Sequence, residues 1–105
     1  MAFPVQGTWL DFCVLSIIKN GDTYGYELTQ KLMSLFNLSE STFYPVLRRL
    51  SKDGELTTYD RAFDGRNRRY YSITPRGLEA LNRYEYEWAI FKNKIDTMIG
   101  GGEND

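Results

Sequence analysis

The stretch Ser39–Gly54, SESTFYPVLRRLSKDG, constrains this chain more than any other. Phe43, Val46, Leu47 and Leu50 recur at the three- and four-residue spacing that predicts a helix with one apolar stripe. Ser39 is placed to cap it, its hydroxyl accepting a backbone N–H of the first turn. Gly54 suits the left-handed residue that ends a helix. The other face carries Ser41, Thr42, Tyr44, Arg48, Arg49 and Lys52. Hydroxyls, a phenol and cations along one stripe are the groups that bind phosphate oxygens and base edges. Pro45 removes one helical hydrogen bond and crowds the preceding turn. Either the helix starts near Pro45, or it starts at Ser39 and bends around it. The second reading is preferred, because Phe43 already falls on the stripe.

After this helix the pattern changes. Residues 55–63 and 69–74 are rich in β-branched and aromatic residues and read as two strands, and Asp64-Gly65 between them is a hairpin signal. Arg66, Arg68 and Arg69 cluster at the tip. Hairpin tips are commonly polar, but three arginines beside a basic helix favour contact with phosphate or a minor groove. A helix followed by such a hairpin has the order of a recognition helix and its wing.

Upstream, residues 1–7 read as a loose arm. In TWLDFCVLSIIK, residues 8–19, the residues Trp9, Leu10, Phe12, Cys13, Val14, Leu15, Ile17 and Ile18 cover nearly the whole circumference of a helix. A small domain can hardly bury such a helix on every side, so part of it is expected to meet a second subunit. Cys13 reads as a small core residue there. Asn20-Gly21-Asp22 ends the helix. Thr23 is placed to cap the next one, YGYELTQKLMSLF, with Leu28, Leu32, Leu35 and Phe36 as its buried stripe and Glu27 near its positive end. Gly25 costs about 1 kcal/mol of helix propensity, which implies close approach of another helix. Tyr24 and Tyr26 suit either the core or a phosphate contact, and Tyr24 joins the candidate DNA contacts. The short link at Asn37-Leu38 suits a helix-turn-helix.

Downstream, Thr74-Pro75 starts a last helix with Thr74 as cap and Pro75 at the first helical position. Leu81, Tyr84, Trp88, Phe91, Ile95 and Met98 then follow in alternating steps of three and four, a seam that packs helix against helix. The expected dimer interface is Trp9, Leu10, Cys13 and Val14 of the first helix with this seam. Trp88, Tyr84 and Phe91 are also a candidate ligand site. Aromatics facing their copies across a twofold axis close into a core, the simpler reading, or leave a gap for a planar aromatic molecule. Residues 100–105 read as a flexible tail.

The net charge of −1 argues weakly against nucleic acid, but its distribution does not. Between Thr42 and Arg76 there are eight basic and four acidic residues, against five and ten elsewhere. Local positive charge is what phosphate binding needs. There is no histidine and only one cysteine, which leaves no general base or zinc set of the usual kinds. An enzyme is therefore disfavoured, and no cofactor or metal is expected. No apolar run is long enough to span a membrane, and the N-terminus lacks the pattern of a signal peptide. A cytoplasmic location is expected.

Together, TYGYEL at Thr23–Leu28, STFYPVLRRL at Ser41–Leu50 with its flanking Ser-Glu, Gly54, and RRYYSIT-PRG resemble the PadR family of bacterial transcriptional regulators. The family's YGYEL motif falls on Tyr24–Leu28, its LYPxLxRL motif on Phe43–Leu50, and its basic wing with the RxYY strand on Arg66–Tyr71. Phe43 stands where Leu is more usual, and Ser41 where Gly often stands. The resemblance implies a winged helix-turn-helix that dimerises through its terminal helices, represses transcription at palindromic operators and often releases DNA on binding a small effector. Some members carry a longer C-terminal helical domain. This chain has room for one final helix, as in the short subfamily.

The fold expected is therefore mainly α with a small β-hairpin, in the order α–α–α–β–β–α, as one domain over residues 1–105. Residues 8–74 form the winged helix and 75–99 the dimerisation helix. Expected partners are double-stranded DNA, a second copy of the chain and a planar aromatic small molecule, with no membrane. The competing reading is a winged helix that binds protein without sequence-specific DNA binding; the arginine wing disfavours it.

Overall fold

A computed structural model describes residues 8–100. The expected arm at 1–7 and residues 101–105 of the expected tail lie outside them, while Gly100, also expected in the tail, ends a helix. The elements run α1 (Thr8–Lys19), β1 (Thr23–Tyr24), α2 (Gly25–Leu35), α3 (Glu40–Lys52), β2 (Leu56–Phe63), β3 (Arg66–Ile73) and α4 (Pro75–Gly100). The three-stranded antiparallel sheet has the order β1-β3-β2. Among the described residues no helix is long and apolar enough to cross a membrane.

The core forms where the apolar stripes meet. Phe43, Val46, Leu47 and Leu50 of α3 are all buried, against Val14, Leu15 and Ile18 of α1, Leu28 and Leu32 of α2, Leu56, and Ala80 and Leu81 of α4. Pro45 lies inside α3, so the helix begins five residues before it. The C-terminus of α3 is closed as its sequence predicts. Gly54 sits at φ 82°, its N–H bonds to the Ser51 carbonyl, and the Glu55 N–H bonds to the Leu50 carbonyl. Asp64 and Gly65 both have positive φ, the two-residue turn whose twist matches a hairpin. Thr74 caps α4: its hydroxyl accepts the Gly77 N–H at 3.0 Å and donates to the Gly54 carbonyl at 2.6 Å.

Several expectations are corrected. Thr23 does not cap α2. It pairs with β3 as part of a third strand, and its hydroxyl donates to the Glu27 carboxylate. Ser39 stands at the N-cap of α3, but its hydroxyl makes no capping bond and faces the Ser41 hydroxyl at 2.9 Å instead. Leu35 leaves the stripe of α2 and is 69% exposed. Val14 and Leu81 are wholly buried within the single chain, so neither is available to a second subunit. Both fall on the inner side of their helices, where the chain's own core claims them first.

Cys13 is half-buried at the edge of this core, and burial pushes its thiol pKa up. It is expected to react with a thiol-alkylating reagent more slowly than free cysteine at pH 8, because less of it is thiolate. Alkylation rates measured from pH 7 to 10 check this. A rate equal to that of free cysteine at pH 8 would contradict it.

Candidate nucleic-acid interface

Helix α3 separates its two kinds of residue. Ser41, Arg48 and Lys52 are exposed; Thr42 and Tyr44 are half-buried. Arg48 and Lys52 make no ion pair among the described residues, which leaves both charges to solvent. Tyr44 is held by packing. A Cβ on Gly25 would lie 3.2 Å from its ring and 3.9 Å from the Tyr71 ring, the close approach expected at Gly25. The Tyr44 hydroxyl reaches Glu40 at 3.5 Å.

Arg49 behaves differently from its neighbours. Its Nη1 donates to Asp11 Oδ2 at 3.0 Å and its Nη2 to Asp11 Oδ1 at 2.5 Å. That bond raises the guanidinium pKa further above its ordinary value. Arg49 is thus paired with α1, unlike Arg48 and Lys52, while its side chain remains 48% exposed. At 100° per residue two consecutive arginines cannot share a narrow face. Asp11, the one acid in the apolar run of α1, is the residue that sequence reasoning passed over.

In the wing, the two-residue turn fixes the register Phe63↔Arg66, Arg61↔Arg68, Asp60↔Arg69 and Tyr59↔Tyr70. Directly opposed residues share a face, so the three tip arginines divide. Arg66 and Arg68 lie on one face with Tyr24, Tyr59, Arg61, Phe63 and Tyr70, and Arg69 lies on the other. Arg66 is exposed and makes no ion pair among the described residues. Arg68 is half-buried, its guanidinium 4.5 Å from the Tyr24 ring centre and 5.1 Å from that of Phe63. Arg61 lies 4.8 Å over Tyr70, which stacks on Tyr59 at 5.5 Å. Tyr24 is therefore a wall of this aromatic layer, meeting Tyr70 edge-on at 5.4 Å. The layer stiffens the wing, since each ring–cation contact contributes about 0.5–1 kcal/mol at exposed sites.

The second face points toward α3. Arg69 pairs loosely with Asp60 at 3.7 Å, both well exposed. Tyr71 has its phenol pKa raised by burial and by Tyr44, against the opposing effect of Arg69 and Arg48. Tyr71, which the sequence placed in the RxYY motif but not among the candidate contacts, thus sits where α3 and the wing meet. The alternation of residues along a strand was the available signal. Arg48 and Lys52 on α3, Arg66 on one face of the wing and Arg69 on the other are all exposed, so positive charge is spread over both elements.

The expected ligand residues are arranged less simply. Tyr84 packs on Phe12 of α1 at 5.9 Å, and Trp88 lies 6.2 Å from Phe91 on the same helix. Trp88 is 40% exposed.

Residues 14–83 match the family model described as the transcriptional regulator PadR-like family. A transcriptional regulator of Mycobacterium tuberculosis is 41% identical over 69 residues, 65% of this chain and 64% of that protein. A crystal structure of a Streptococcus mutans protein, 34% identical, superposes with a TM-score of 0.87 over 100% of this chain and 99% of that one. The Bacillus subtilis PadR structure in complex with operator DNA is 22% identical, with a TM-score of 0.65 over 72% of this chain and 46% of that one, a likeness of fold.

Proposed function

This chain belongs to the PadR-like family of transcriptional regulators, and on that premise we propose that it represses transcription as a homodimer on a palindromic operator. One observation carries the reading: α3 and the wing present exposed Arg48, Lys52, Arg66 and Arg69 on neighbouring elements, while Arg49 is paired with Asp11 of α1. The α3 residues Ser41, Thr42, Tyr44 and Arg48 read the major groove. Arg66 and Arg69 hold phosphates or a minor-groove edge, and Arg68, braced by Tyr24 and Phe63, presents the wing. A dimer would set two α3 helices about 34–36 Å apart, one turn of DNA. The bound operator of the Bacillus subtilis protein supports this use of the fold. The site of action is the cytoplasm, where the DNA is, and the chain has no catalytic role.

The test is binding to the DNA upstream of its own gene across a range of salt concentrations. Arg66→Ala is expected to weaken binding to all sequences alike and to lower the salt slope by about one per subunit. Arg48→Ala is expected to change sequence preference as well. An unchanged slope after loss of Arg66 would reject the wing assignment. A planar aromatic effector stacked on Trp88 and Phe91 belongs to the same reading, because a ligand that widens the gap between paired α4 helices would bind one dimer shape better than another. Quenching of Trp88 by planar aromatic cations, with Trp9→Phe made first, is the readout. No quenching and no shift in DNA affinity would remove this effector site.

A further inference from the structure

The contact that sets α3 against α1 is polar at one point. Asp11 has a side chain only 9% exposed, and both its oxygens are taken by the fork of Arg49, which is 48% exposed. The two residues stand 38 positions apart. Elsewhere α1 and α3 meet through the buried core, to which Leu15, Ile18, Val46, Leu47 and Leu50 belong, and hydrophobic burial is non-directional. A bidentate pair is directional, because both N–H···O bonds require one orientation of the fork. Such a pair is weak evidence for added stability over apolar packing.

Arg48 precedes Arg49 and projects about 100° away around the helix. A turn of α3 that displaces Arg48 and Tyr44 also moves the backbone of Arg49 relative to Asp11 and strains the fork. The Asp11 charge is felt by Glu55 at the root of the wing and by Tyr84 on α4, raising both pKa values behind the larger effect of burial.

We propose that Asp11 and Arg49 are positioning residues for DNA recognition, fixing the rotation of α3 against α1 so that Arg48 and Tyr44 meet base edges in register. The role rests on the reading of α3 as the recognition helix. It differs from a phosphate contact, which would act without Asp11, and from a general contribution to folding, which would weaken all DNA binding equally.

The experiment measures affinity for the fragment upstream of its own gene and for an unrelated duplex of the same length, each across salt concentration. Asp11→Asn, Arg49→Gln and the double variant are compared with wild type at matched folded fraction, set by thermal melts. The expected result is a roughly tenfold loss on the upstream fragment, little change on the unrelated duplex and an unchanged salt slope. The double variant should lose no more than either single one, since all three remove the same fork. If Asp11→Asn does not fold, Arg49→Lys replaces it, keeping the charge and losing the fork. A slope lowered by Arg49→Gln alone, or equal losses on both duplexes, would overturn the positioning role. Arg48→Ala separates the two readings. Loss there without loss in Asp11→Asn sinks the positioning role alone. Equal binding of both duplexes by wild type sinks the regulator reading and the positioning role with it.

Discussion

Gly77→Ala is expected to cost the fold about 3 kcal/mol, the upper end of what overpacking a tight core removes. Gly77 stands in the first turn of α4, where a Cβ would lie 2.2 Å from the Glu55 carbonyl oxygen and 2.8 Å from Ile73 Cγ1. The oxygen cannot swing aside cheaply. It accepts the Thr74 N–H at 3.1 Å, while the Thr74 hydroxyl bonds both the Gly54 carbonyl and the Gly77 N–H. The whole start of α4 would have to lift from the end of α3 and the root of the wing. Urea unfolding at fixed protein concentration reads the cost as a lower midpoint. Gly25→Ala is the internal comparison. Its nearest neighbour is the Tyr44 ring at 3.2 Å, a side chain able to move by a few tenths of an ångström. The expected stability cost there is under about 1 kcal/mol, because reduced freedom of the unfolded chain offsets part of the crowding. Since Tyr44 is the group that gives way, DNA affinity should suffer more than stability. Equal midpoints for Gly77→Ala and wild type would show that the carbonyl yields, contrary to this account.

The reasons behind these features were unequally visible in the sequence. The stripe of α3, the closure at Gly54, the Asp64-Gly65 turn and the Thr74-Pro75 start are local, because each is set by residues within one or two turns of one another. They therefore stood in the sequence in readable form. Strand β1 is not local. Thr23 and Tyr24 are extended because Tyr71 and Tyr70 lie opposite, and two residues carry no periodicity of their own. Arg49 is the same case at the candidate site: spacing marks it as a cation beside Arg48, and only the fold brings Asp11 to it. The division of the tip arginines was legible in principle. A two-residue turn with strict alternation puts Arg66 and Arg68 on one face and Arg69 on the other. Gly77 carried a signal too, a glycine in the first turn of a helix where propensity alone would choose almost anything else.

The largest functional effect is expected from the far end of α4. This helix has 26 residues, about 39 Å, yet its buried residues are Gly77, Ala80 and Leu81, all in its first two turns. Beyond them the seam continues through Ile95, half-buried, to Met98, 71% exposed, beside Ile99 at 78%. With Val14 and Leu81 claimed by the chain's own core, the proposed dimer contact falls to this distal seam and to the half-buried Trp9, Leu10 and Cys13 of α1. Ile95→Glu with Met98→Glu places two carboxylates on that seam, far from the core and the wing. Each protomer should keep its winged helix and its thermal unfolding should become independent of protein concentration, whereas the wild-type midpoint should rise with it. Sedimentation should give a monomer for the variant and a dimer for wild type. A dimer holds its second recognition helix near the second half-site at an effective concentration in the millimolar range. Losing that link should weaken operator binding by roughly 10²–10⁴ and bring the salt slope down toward half, because each protomer then neutralises phosphates alone. A wild-type chain that sediments as a monomer at micromolar concentration would end the dimer proposal. A variant that is monomeric yet binds the operator undiminished would show instead that one winged helix suffices for recognition.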